Sequence, residues 1–183
     1  MSGNKLDRRV RRTRDRLGDA LIALMQEKPF DEIKVQDVLD RAGVGRSTFY
    51  EHFKDKDDLL VSDADEFFEG MATLLARRGD ASSRVAPVRE LFAHVADVQP
   101  LYQAMEGSGL LQELLDLATN QFARGIEERL AARGVALEER AARAQALAGA
   151  LFALLPWWLK RGRKESPEEM DAIFHRMVDP APR

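Results

Sequence analysis

The sequence predicts an all-α protein: an N-terminal three-helix head with helix-turn-helix geometry, then a larger helical body, about nine helices in all. Three observations lead there. Apolar residues recur every three to four positions, and no stretch alternates with period two for long. Proline, glycine and a Ser-Pro pair interrupt the periodic segments at helix-length intervals. Near the N-terminus, two short segments flank a four-residue turn, Ala42-Gly43-Val44-Gly45.

The first helix is expected over residues 7–26. Its apolar stripe is Val10, Leu17, Leu21, Leu24 and Met25, with Arg8, Arg11, Arg12 and Arg16 off the stripe. Pro29 ends it, because proline has no N–H for a helix interior. A second helix spans 35–41 with Val38 and Leu39 inward, and Gly43 breaks it. A third, very short, covers 46–53. A fourth starts after Asp55, an N-cap, with Asp57 and Asp58 in the first turn where the helix dipole favours anions. Its stripe runs Leu60, Ala64, Phe67, Phe68, Met71, Leu74, Leu75 without a slip. The small polar run GDASSR at 79–84 reads as a loop. Pro87 suits the first turn of a helix to about Val98, and Pro100 restarts a short one to about Glu106. GSG at 107–109 is a break. The long helix 110–133 carries Leu111, Leu114, Leu115, Ala118, Phe122, Ile126 and Leu130 on its apolar side, and Gly134 caps it. An alanine-rich helix, 138–160, contains Pro156, whose ring clashes with the carbonyl of Phe152 and predicts a kink. Ser166, Pro167 and Glu169 read as N-cap, first helical residue and capping-box partner of a last helix ending near Val178. Residues 1–54 form the expected head and 55–183 the body.

Composition removes several function classes. Cysteine is absent, which excludes disulfides, thiolate metal sites and a Cys nucleophile. His52, His94 and His175 form no HxxxH or ExxH pair, and no nucleophile-elbow motif occurs, so neither enzyme, metal nor cofactor is expected. The N-terminal residues hold no apolar run, and no uncharged stretch reaches the roughly 18 residues of a membrane span. The expectation is a cytoplasmic protein with no membrane partner. The net charge of −3 is unevenly spread. Residues 1–56 hold 13 Lys and Arg against 10 Asp and Glu, and the first 16 residues hold seven against two. A basic end on an acidic body points to a local anionic partner.

The turn itself admits two readings. As a phosphate loop it fails: the Walker spacing would need glycine at Asp40, a dinucleotide loop would need glycine at Thr48, and the segment before it is a charged helix, not a strand. As a helix-turn-helix it fits. Gly43 takes the positive φ that ends the first helix, Val44 is expected as a buried plug, and Phe49 and Phe53 face inward. Arg46, Ser47, Tyr50 and Glu51 are left on the outer side, flanked by Thr48 and His52, with tips suited to base edges and phosphates.

Ala42, Gly43, Val44, Thr48, Tyr50, His52, Phe53, Lys56 and Leu59 resemble, in register, the N-terminal signature of the TetR-type transcriptional repressors. Upstream, Phe30, Ile33 and Val35 also stand at that family's core positions. There are two departures: Gly45 replaces a frequent serine cap, and Leu39 replaces a frequent small alanine. The resemblance implies a ligand-responsive, dimeric repressor of double-stranded DNA. Position by position, it implies that Arg46, Ser47 and Thr48 reach bases or adjacent phosphates. Tyr50, His52 and Lys56 bind phosphate, Gln36 reaches a base or the backbone, and Arg14 lies by the backbone. Glu51 accepts from a cytosine amino group or repels wrong registers. Arg8, Arg9, Arg11 and Arg12 either extend into a neighbouring minor groove or attract phosphate loosely.

In the body, Ala142, Ala146, Gly149, Ala150 and Ala153 place small side chains at helical spacing, and Met170, Ile173, Phe174 and Met177 form an apolar stripe. Both are read as a homodimer face, which the resemblance also implies; intrachain core is the competing reading. Phe67, Phe68, Met71, Phe92, His94, Val95, Tyr102, Met105, Leu114, Phe122 and Phe152 are candidate lining of a small-molecule effector pocket. Few charges fall among them, so the expected effector is apolar or weakly polar. An alternative function is a helical dimer of the same fold acting mainly through protein partners.

Overall fold

The computed structural model describes residues 3–79, 81–105 and 108–178. These form ten α-helices, and no strand occurs among them. The chain divides into two compact units. One comprises the chain up to Ala64 together with Gln99–Gln112; the other comprises Asp65–Val98 and the chain from Glu113 onward.

The first unit is built on α1 (Gly3–Met25), whose stripe buries Leu17, Leu21, Leu24 and Met25. It packs on α2 (Val35–Ala42) through Val38 and Leu39 and also meets α7 (Gln99–Ala104). Between α1 and α2, Pro29 leads into a 3-10 turn, Phe30–Glu32, which drives Phe30 into the core and was not legible as a helix. α3 is only Arg46–Tyr50. It ends sooner than expected because the chain tightens: His52 donates to Phe49 three residues back, at 2.9 Å. α4 (Lys56–Ala72) begins as the sequence implies. Asp55 Oδ1 accepts from the Asp58 N–H at 2.9 Å, and Asp58 returns the favour to Lys54 N–H at 2.9 Å. Gly18 is the close approach of α1 to α4; a Cβ there would lie 2.7 Å from Asp63 Oδ1.

In the second unit α4 does not run through to Leu75. The Thr73 hydroxyl donates to Glu69 O at 2.9 Å, competing for a helical carbonyl, and a separate short α5 (Leu74–Arg77) follows. α6 (Val88–Asp97) packs on α10 (Pro167–Val178), and Phe92 meets Trp158 edge to face at 4.9 Å. α8 (Leu110–Ala132) crosses the end of α4 at Gly125, where a Cβ would lie 2.6 Å from Ala72 O. α8 ends in a left-handed Gly134, and Val135 N–H closes back on Leu130 O at 3.1 Å. α9 (Leu137–Lys160) continues through Pro156, which lies on its exposed side. α10 starts with the full capping box: Glu169 N–H to Ser166 Oγ at 3.2 Å, Ser166 N–H to Glu169 Oε2 at 2.7 Å. Of the expected loop and breaks, Asp80, Glu106 and Gly107 lie outside the described residues.

The loop at 81–86 is strongly tied. Arg84 forms ion pairs with Glu90 (2.5 Å) and Asp171 (2.9 Å), and Arg129 donates to the carbonyls of Ser82 (3.0 Å) and Arg84 (2.8 Å). His175 Nε2 accepts the Val85 N–H at 3.1 Å. Composition suggested a plain loop; long-range partners make it a fixed strap.

Candidate nucleic-acid interface

Gly43 takes φ 61°, ψ 41°, the left-handed conformation that ends α2, and Val44 N–H bonds to Leu39 O at 3.2 Å. Gly45 is different. Its φ is −71° and ψ 151°, an ordinary extended N-cap, so here glycine is not demanded by the backbone. It contributes no side-chain cap to α3, and a Cβ at this position would meet nothing within 4 Å. Behind α3, Phe49 is fully buried and Phe53 nearly so, their rings 5.7 Å apart. Val44 departs from expectation: it is half-buried, not a sealed plug, because its bare glycine neighbours leave it open to a groove.

The eight residues assigned to DNA all lie in the first unit, and they sort by what holds them. Arg46, Ser47 and Tyr50 project from α3 into solvent, Tyr50 at 49% exposure, with the Arg46 guanidinium 5.8 Å from the Tyr50 ring centroid. Thr48 and His52 are half-buried at the flanks. Gln36 is exposed and donates to Asp40 at 2.8 Å. Arg14 is anchored by Ser62 Oγ at 2.7 Å and lies over the Phe53 ring. Lys56 donates to Phe30 O at 2.6 Å and stacks 4.2 Å over that ring. Arg14 and Lys56 are therefore positioned cations, while Arg46 is a free-standing one.

Sequence reasoning missed Arg16. Its guanidinium donates to Ala42 O and to Gly43 O (3.3 Å), completing carbonyls at the C-terminus of α2 where the dipole favours a cation. Its only advance signal was the Arg8, Arg12, Arg16 spacing, which puts the three on one helix face. The same region holds fixed carboxylates. Lys28 (2.7 Å) and the Lys34 N–H (3.0 Å) keep Asp37 below the usual carboxylate range, and the two-pronged Arg41 contact (2.9 Å) does so for Glu27. Between α1 and the turn lies a groove of about 640 Å³, with arginines on one wall and the turn backbone and Thr48 on the other.

The body residues are also dispersed. Phe68, Phe92, Val95, Leu114, Phe122 and Phe152 are buried in the second unit, with Phe122 and Phe152 edge to face at 5.2 Å. Phe67 and Met71 are half-buried and line a shallow groove of about 440 Å³ with Gly70 and Leu74; Glu66, Arg78 and Glu90 supply charge at it. His94 stacks on Phe67 at 4.2 Å, and burial, partly opposed by Asp97, pushes its pKa down toward the neutral form. Tyr102 and Met105 belong to the first unit; burial raises the Tyr102 phenol to about 12. Ala146, Gly149, Ala150 and Ala153 are exposed along α9, Ile173 is half-buried, and Met177 is 56% exposed. Met170 and Phe174 are buried within the single chain, because α10 packs them toward α6. They add core to this unit instead of surface. No helix among the described residues is long and apolar enough to cross a membrane, and no cluster of three metal-ligating side chains occurs among them.

Residues 17–62 match the sequence family described as bacterial regulatory proteins, tetR family, and residues 87–180 match the transcriptional regulator C-terminal region. An uncharacterized HTH-type transcriptional regulator, YxbF, of Bacillus subtilis strain 168 is 37% identical over 57 residues, which are 31% of this chain and 15% of that protein. A TetR transcriptional regulator from Streptococcus agalactiae 2603V superposes with a TM-score of 0.61 at 26% identity, over 94% of this chain and 96% of that one. The dihydroxyacetone kinase operon activator DhaS superposes with a TM-score of 0.64 at 17% identity, over 91% and 92%.

Proposed function

The chain belongs to the TetR family of bacterial transcriptional regulators, and from that premise we propose that it is a repressor released from a near-palindromic operator by a small effector. Family members bind DNA and small-molecule ligands and act as dimers, and they are regulators, not enzymes. On this reading residues 1–54 are the DNA head and residues 55–183 the effector and dimerisation body. One observation carries it: α3 sends Arg46, Ser47 and Tyr50 outward while Phe49 and Phe53 lock its other side into the core. A short helix anchored from behind and polar in front suits insertion into a major groove. Arg14 and Lys56, held by Ser62 and Phe30, are placed to engage the backbone on either side.

Two heads related by a two-fold read two half-sites. The exposed small residues of α9, Ala146, Gly149, Ala150 and Ala153, with Ile173 and Met177 of α10, are the proposed dimer face. The effector is proposed to enter by the groove at Phe67 and Met71, beside the neutral-favouring His94. An apolar or weakly polar molecule fits the wall, while the charges at that groove favour a polar tip that stays near solvent.

The test is a binding titration on the upstream region of its own gene. Wild type should prefer one segment over random duplex at moderate salt, and Arg46→Glu should lose that preference. Equal binding to random duplex by the wild type would defeat the reading. DhaS is an activator by its printed name, so a reporter fused to the same segment fixes the sign.

A further inference from the structure

We propose that the groove between α1 and the Gly43–Gly45 turn is a seat for DNA backbone phosphate, with Arg9 and Arg12 as its charged contacts. This rests on the DNA-binding reading above. No acidic residue lines the groove, although its surroundings carry several carboxylates. Arg9 and Arg12 are exposed and three apart, so they share a helix face, and Arg12 stands four before Arg16. Arg16 has a different task. By donating to Ala42 O and Gly43 O it covers the carbonyl end of α2, which would otherwise repel an anion at this point.

The opposite wall explains Gly45. The backbone there needs no glycine, yet the missing side chain leaves open space where any Cβ would stand. That opening exposes the turn backbone to an approaching phosphate. Thr48 closes the wall, one residue from the outward Ser47. An anion that enters while α3 engages a duplex is therefore a phosphate flanking the groove being read, and the seat lengthens the footprint without reading bases.

The experiment is a salt titration of operator binding with full-length wild type, Arg9→Ala/Arg12→Ala and Arg9→Lys/Arg12→Lys. Each phosphate contact contributes about 0.9 to the slope of log K against log salt. Two contacts on each of two heads give the alanine variant a slope shallower by roughly 3.6. Its deficit against wild type then narrows by about 100-fold between 50 and 200 mM salt, with operator preference unchanged. The lysine variant keeps most of the wild-type slope, because phosphate reads charge where a base edge reads the guanidinium fork. Matching thermal unfolding of all three guards the comparison. A slope unchanged by the alanine pair in a wild type that still selects its operator overturns the seat and leaves the DNA reading standing. Loss of operator preference in both variants overturns the phosphate assignment in favour of base contacts. A wild type with no preference overturns the DNA reading itself. Inorganic phosphate titrated against the Gly45 amide signal separates the sources: saturation that operator DNA fails to displace would mark a free-anion site and overturn the proposal.

Discussion

Replacing Arg84 with methionine removes the cation from a cluster that ties the 81–86 strap to α6 and α10. The Arg84 side chain is 19% exposed, and its partners Glu90 and Asp171 are 15% and 20% exposed. Methionine fills much of the volume but leaves two half-dry carboxylates without their shared partner. Deleting one member of a fully buried pair costs about 3–5 kcal/mol. Partial exposure, the remaining Arg89 contact to Glu90 at 3.0 Å, and His175 beside Asp171 reduce this to about 2–3 kcal/mol at pH 7. The pH dependence follows from the same groups. Burial opposes ionisation of Glu90 and Asp171, yet hydrogen bonds and charge from Arg84, with help from Arg89 and His175, hold both below their ordinary values. A depressed carboxyl pKa gives stability that is present above the unfolded value and lost as pH falls through the folded value. The wild type therefore loses stability on acidification from about pH 5 downward, and the variant loses less. Urea unfolding at pH 7 and pH 4, at one protein concentration, measures both. A penalty below about 0.5 kcal/mol at pH 7, or one that does not shrink at pH 4, would refute the assignment of this cluster as a stabilising tie.

Two further substitutions probe backbone positions. Gly43→Ala forces a Cβ into the left-handed region and to 3.0 Å from the Arg16 guanidinium; it should cost about 1–2 kcal/mol and weaken operator binding, while an unchanged Tm would contradict the cap. Gly125→Ala places a Cβ 2.6 Å from Ala72 O, a backbone atom that cannot swing aside. A loss of about 1–3 kcal/mol in thermal unfolding is expected, and a neutral result would mean the α8–α4 crossing is looser than described.

The helices were legible because each is written locally. Ser166 and Glu169 cap α10 as their spacing implies, and Gly134 and Gly43 end α8 and α2 with positive φ. The failures share a cause too. The break at Thr73 comes from one hydroxyl turned back on Glu69, which leaves no trace in an apolar stripe. The burial of Met170 and Phe174 depends on α6, more than 70 residues away in the chain, so periodicity gave a stripe without saying what covers it. The strap at 81–86 looks weak by composition, and only the arginines reaching it from α8 and its own Arg84 make it firm. Residue types at the interface could be read from spacing. Their partners could not, because Arg14 with Ser62 and Lys56 with Phe30 are pairings made by the fold.

Those pairings change what the interface residues are worth. A long cationic side chain that must be ordered on binding forfeits up to roughly 2 kcal/mol of rotamer freedom. Lys56 has already given that up by donating to Phe30 O and resting on the ring, and its ammonium keeps two further donors for a phosphate. Arg14, fixed by Ser62 and lying over Phe53, is in the same state. Arg46 has only the edge contact with Tyr50, so it must be ordered by whatever it meets. A pre-placed cation secures register on any duplex, whereas a cation that is ordered only by a matching base edge rewards the right sequence more than the wrong one. Gly45 fits the same division: a recognition helix with no side-chain cap can settle on its site, while the cations beside it stay where the core puts them.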